Sequence, residues 1–120
     1  MRIAISGSHR TGKSTLLAEL SAALPKYMVV EEPYEILAED GYEFRDPPSL
    51  EDFEAQLEHS LASLEEAGRD VLFDRCPVDF LAYISLHEDA GAFDFDSWLP
   101  RVRAATQSLD LIVLVPSRDW

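Results

Sequence analysis

Gly7, four variable residues, Gly12, Lys13 and Ser14 form the pattern GxxxxGK[ST], which dictates the backbone around it more firmly than anything else in the chain. Ile3, Ala4 and Ile5 lead in as an apolar run of strand type, and Leu16, Leu17, Leu20 and Leu24 follow at helical spacing. Strand, glycine turn and helix is the arrangement that gives the pattern its chemistry. Glycine reaches backbone angles that a side chain forbids, so the amides between Ser8 and Ser14 can turn toward one anion. The helix behind them adds its positive end, and Lys13 adds a full charge. Gly7, Ser8, His9, Arg10, Thr11, Gly12, Lys13, Ser14 and Thr15 are the expected polyphosphate cradle, with the Ser14 hydroxyl on magnesium and Thr15 near the first phosphate.

The rest of the chain limits what can surround such a cradle. One domain over residues 1–120 is expected, large enough for a three-layer core. A formal net charge of -13 argues against nucleic acid or an anionic membrane as partners, because the field of the whole protein would repel either. Cys76 is the single cysteine, so no intrachain disulfide can form. No apolar run approaches membrane-spanning length, and Met1 enters a core strand at once, leaving no room for a cleavable signal. A cytoplasmic protein is the expectation.

Three further apolar runs follow, and two of them end in charged residues. Tyr27 to Val30 reads as a second strand that runs into Glu31, Glu32 and Pro33. In open α/β sheets the carboxyl ends of the strands form the ligand crevice, so these carboxylates are expected beside the phosphate loop, where one can act as a base toward a substrate hydroxyl; the alternative is a solvated cap on a strand edge. An irregular stretch then supplies Tyr34, Tyr42, Phe44 and Arg45, whose rings either stack on a flat ligand or pack the loop onto the core. Residues 38–48, AEDGYEFRDPP, are the nearest thing to a break in the chain. Ser49 opens a helix with Asp52 as its capping-box partner and Phe53, Leu57, Leu61 and Leu64 as its apolar stripe, ending near Gly68. Gln56 and His59 share that helix.

Val71 to Phe73 is the third strand, terminated by Asp74 and Arg75. An aspartate placed there reaches magnesium through water in phosphate-loop proteins. Arg75 is expected to steady a phosphoryl group or to form an ion pair with Asp79 or a nearby glutamate. Pro77 opens a helix to about His87, with Phe80, Leu81, Ile84 and Leu86 available to the core. After a loop over 88–96, Asp96 or Ser97 caps a helix in which Pro100 is tolerable only in the first turn. Leu111 to Val115, LIVLV, is an apolar run of the kind found in parallel strands buried on both faces.

The loop GSHRTGKST, Glu32-Pro33, Gln56 within FEAQL and Asp74-Arg75 together resemble the nucleoside and nucleotide kinase branch of P-loop proteins, in particular deoxyribonucleoside kinases and thymidylate kinase. The resemblance implies that Glu32 activates the acceptor hydroxyl, Gln56 reads the base, and Asp74 and Arg75 serve metal and phosphate. Glu31, Tyr34, Phe44 and Arg45 complete the expected acceptor site. The segment LFDRCPVDFLAY is also similar to that of small bacterial AAA-family ATPases, many of them kinase-like. Kinases of this type carry an arginine-bearing lid and a fifth strand after the fourth. The expectation is therefore a kinase-like domain lacking both, with its fourth strand at a sheet edge open to pairing with a second copy.

A chain without asparagine has no Asn-Lys-x-Asp signature, which argues against guanine switching. The expected architecture is α/β, a three-layer P-loop NTPase fold whose parallel sheet runs in the order 2-3-1-4 with helices on both faces. The expected activity is transfer of the γ-phosphoryl group of ATP, with Mg2+, to a small hydroxylated substrate such as a nucleoside or nucleotide. The alternative is a module that binds nucleotide without useful phosphotransfer.

Overall fold

The structure, a computed structural model, describes residues 1–7 and 12–116. Ser8, His9, Arg10 and Thr11 of the expected cradle lie outside the described residues. The first strand, β1 (Arg2–Ser6), is followed by α1 (Lys13–Ala23), β2 (Met28–Val30), α2 (Pro33–Glu39), α3 (Leu50–Glu66) and β3 (Val71–Asp74). Then come α4 (Pro77–Leu86), a 3-10 turn at Ala90–Ala92, α5 (Phe95–Gln107) and β4 (Leu111–Leu114).

The described strands form one parallel sheet in the order β2-β3-β1-β4. Ile3 pairs with Leu72 on one side and with Leu111 on the other, so β1 is central as expected. Alternation along the strands sorts their side chains into two layers. Ile3, Ile5 and Leu72 face α1 and meet Leu16, Leu17, Leu20 and Leu24. Ala4, Val71 and Phe73 face the other way, against Leu57, Leu61 and Leu64 of α3, Phe80 and Ile84 of α4, and Val102 and Ala105 of α5. The larger apolar volume therefore lies on the α3–α4–α5 side.

Arg2 ties the lower end of this sheet to two helices. Its guanidinium donates to the carbonyls of Leu64 (2.5 Å), Ala67 (2.6 Å), Gly68 (2.8 Å) and Ser108 (3.1 Å), and to the Ser108 hydroxyl (3.1 Å). These oxygens belong to the C-terminal ends of α3 and α5, where carbonyls lack helical partners and carry partial negative charge.

Several local expectations need correction. Pro33 ends β2, but it also occupies the first turn of α2, a position where its missing N–H costs nothing; the stretch bearing Tyr34 is thus helical. Asp94, not Asp96 or Ser97, caps α5, and Pro100 falls inside that helix. Its absent N–H would have met the carbonyl of Asp96, and both residues are exposed, so water can serve that carbonyl. Leu86 is 85% exposed, because it sits on the side of α4 opposite to the buried Ile84. Leu111 and Leu114 are 46% and 75% exposed, as an edge strand allows, so LIVLV is not a strand buried on both faces.

Candidate functional site

Because the strands are parallel, the chain leaves all of them at the same edge of the sheet, and the polar residues that end them meet there. Gly12 caps α1 in the left-handed conformation, φ 88° and ψ 8°, which is ordinary for glycine and strained for other residues. Among the described residues no side chain caps that helix, and no acidic residue lies in its first turn. Its positive end thus points at the cradle without a competing carboxylate from the helix itself. Ser14 and Thr15 are exposed in the same turn, while Lys13 is buried.

The Lys13 ammonium reaches across the sheet edge to two carboxylates. It lies 3.5 Å from Oε2 of Glu32 and forms an ion pair with Oδ1 of Asp74. Glu32 is the residue that caps α2, and its backbone is still extended there, so its side chain stays at the end of β2. Arg75 follows β3 with φ 76°, a left-handed turn that brings its guanidinium back along the strand tips. Its Nε donates to the same Glu32 oxygen at 3.0 Å, and its Nη1 donates to the Tyr83 hydroxyl at 2.7 Å. Two cations and two carboxylates therefore share one largely desolvated site, an arrangement that buried charge requires. Burial by itself would lower the Arg75 pKa, but the hydrogen bond to Tyr83 and the charge of Glu32 outweigh it and hold the guanidinium above its ordinary value.

Glu32 and Arg75 also form the floor of a cavity of about 490 Å³. Its walls include Tyr34, Phe44, Phe53 and Tyr83, and Arg45 and Gln56 add polar groups. Tyr34 stacks on Phe44 with ring centroids 4.4 Å apart, and Phe53 stacks on Tyr83 at 5.5 Å. Volume and lining are those of a small-molecule site, apolar and aromatic with a few polar groups at fixed places. Gln56 is buried, with its amide nitrogen donating to the Asp52 carbonyl at 3.3 Å.

Lys13, Glu32, Asp74 and Arg75 thus come together, and Tyr34, Phe44, Arg45 and Gln56 share the adjoining cavity. Glu31 is exposed and does not line it. Adjacent residues at a strand end point to opposite sides, so only one of the two glutamates can face the site. Of the two ion pairs expected for Arg75, the one with a glutamate is observed. Sequence reading overlooked Tyr83, and it placed Phe53 on the core, against which it does pack, without its second role in lining the cavity. The available signal for Tyr83 was its place on α4 two turns beyond Arg75.

A central strand, a left-handed glycine at the head of a helix, and a buried lysine at that helix's first residue define a P-loop NTPase fold with a nucleotide-binding function. More particularly, the chain belongs to the AAA domain family, whose model matches residues 2–120. No curated protein and no solved structure matches the chain. Among the described residues, no helix is long and apolar enough to cross a membrane.

Proposed function

We propose that the protein is a kinase that transfers the γ-phosphoryl group of ATP, with magnesium, to a hydroxyl of a small acceptor held in the 490 Å³ cavity, a nucleoside or nucleotide being the class in view. One observation carries this reading. The same Glu32 oxygen is shared by Lys13, at the head of the phosphate-loop helix, and by Arg75, in the cavity floor. A carboxylate at that boundary stands between a phosphoryl donor and an acceptor.

The residues present suit magnesium and nucleotide. The start of α1 and the Lys13 ammonium supply positive charge for phosphate, with Lys13 held ready between Glu32 and Asp74, and Ser14 and Asp74 are oxygen ligands of the kind magnesium takes. Bound magnesium nucleotide supplies an activated phosphoryl group with part of its charge neutralised. The chain's own residues do the remaining work. Lys13 holds phosphate oxygens, and Glu32 orients the acceptor hydroxyl and accepts its proton. Arg75 fixes Glu32 through Nε, and Tyr83 in turn fixes Arg75. The paired rings Tyr34–Phe44 and Phe53–Tyr83 offer flat apolar faces to a ring-shaped acceptor, and they exclude water from its reacting end.

The test is a panel of nucleosides and nucleoside monophosphates incubated with ATP and magnesium, with ADP and phosphorylated product measured together. A kinase yields both in equal amounts. Lys13→Ala should abolish product, and Glu32→Gln, which keeps the shape but not the basicity, should lower kcat by about a hundredfold or more. ATP binding with no product on any acceptor would replace this reading with that of a nucleotide-binding module without phosphotransfer.

A further inference from the structure

Asp52 does not line the cavity, yet it holds one wall of it. Its carboxylate is fully buried at the third residue of α3, with 0% of its surface exposed. A capping box asks one thing of this side chain, a bond to the backbone N–H of the cap residue, and Oδ2 accepts that bond from Ser49 at 2.9 Å. Two further bonds exceed the needs of the helix. Oδ2 also accepts from the Arg45 backbone N–H at 2.9 Å, and Oδ1 accepts from the Tyr42 hydroxyl at 2.9 Å. Burial would raise the pKa of this carboxyl, but these donors outweigh it and hold the group below its ordinary value.

Both extra bonds go to the segment that carries the aromatic wall. The Tyr42 ring lies against Phe44 at 4.6 Å, and Phe44 stacks on Tyr34. The Arg45 N–H bond fixes the backbone directly after Phe44, and the Arg45 guanidinium turns toward the Ser49 hydroxyl at 3.4 Å. One buried carboxylate therefore sets where Tyr42, Phe44 and Arg45 stand relative to α3, which contributes Phe53 and Gln56 to the same cavity. Segments between elements are ordinarily mobile, and the ordering of mobile side chains is charged to the ligand that needs them.

We propose that Asp52 is a positioning residue for the acceptor: it orders the Phe44–Arg45 wall before binding, so that acceptor affinity depends on a side chain the acceptor does not touch. This rests on the cavity being the acceptor site of the proposed kinase.

The experiment uses the full chain and an acceptor that the wild-type protein phosphorylates. Asp52→Ala should raise the acceptor KM about tenfold or more, the loss expected when wall side chains must be ordered by the ligand. It should leave kcat and the ATP KM within about twofold, and trypsin should cut after Arg45 faster than in wild type. Asp52→Asn should restore most of the affinity, since its carbonyl can take the two N–H donors while its amide donates to the Tyr42 oxygen. If Asp52→Ala does not fold, Tyr42→Phe decides the matter with a several-fold rise in acceptor KM alone. An unchanged acceptor KM in the folded variant overturns the proposal, and so does an equal loss toward ATP, which would mark a general loosening. A wild-type protein that phosphorylates nothing refutes the kinase reading before any Asp52 variant is measured, and the proposal falls with it.

Discussion

Replacing Arg2 with methionine should show how much of the fold depends on one side chain at the end of the sheet remote from the site. Methionine keeps the aliphatic stem and removes all five donor bonds. Those to Gly68 and to Ser108 are exposed, so water replaces them at little cost. The bonds to the Leu64 and Ala67 carbonyls are partly buried. A hydrogen bond to a charged donor contributes about 1.5–3 kcal/mol, and discounting for partial solvent access leaves about 2–4 kcal/mol for the two together. The guanidinium also lies 5.4 Å from the Phe73 ring centroid, a small addition of about 0.5 kcal/mol at an accessible site. Urea titration at pH 7 should therefore show a midpoint lowered by about 1–2 M with an unchanged slope, and heating should show a Tm lowered by about 10 °C. Arg2→Lys, which keeps the charge but cannot fork between two helices, should fall between them. A shift below about 0.5 kcal/mol in Arg2→Met would refute the idea that the clasp joins α3 and α5 to the sheet.

Two other substitutions have clear signs. Burial raises the Asp79 carboxyl above its ordinary value of 3.8, against the opposing effect of hydrogen bonds from Ser6 and the Cys76 backbone. Stability from a group raised in the folded state is complete below the unfolded pKa and is lost as pH climbs through the folded one. Asp79→Asn, which keeps an acceptor for the Cys76 N–H, should thus be more stable than wild type at pH 7, with the advantage gone below about pH 4 in denaturation curves. Arg101 pairs with Glu58 and Glu65 across α3 and α5, all three in contact with solvent. Arg101→Ala should change the Tm by no more than a few degrees, and by less in about 0.5 M salt, because exposed ion pairs are weak and screened.

The four strands, their order and the residues at their tips were legible because they rest on local signals: apolar runs, a glycine-lysine loop, and the rule that parallel strands end together. What escaped was decided by partners distant in sequence. Pro33 looked like a terminator because a single residue cannot say whether a helix starts behind it. Asp52 was recognised as a cap, but nothing in the sequence reveals that Tyr42 and Arg45 fold back onto it. Arg2 carried no signal at all, since four of its five side-chain bonds go to carbonyls and every residue has one. His87 marked only the approximate end of a helix; its Nε2 donates to the Pro48 carbonyl at 3.1 Å, while Nδ1 accepts from the Asp89 N–H. Leu86 was misassigned because a helix rich in apolar residues hides its own inner face.

The left-handed turn at Arg75 has a practical bearing on mutagenesis. A side chain in that conformation carries a backbone penalty of about 1 kcal/mol that glycine does not. Alanine would delete the guanidinium and retain the penalty, whereas glycine would delete the guanidinium and release it. Because the wild-type arginine bears the same penalty, Arg75→Ala reports the lost contact, and the further change in Arg75→Gly reports the release of the bend. Side by side, the alanine and glycine variants separate the chemistry of the arginine from the geometry of the bend that aims it.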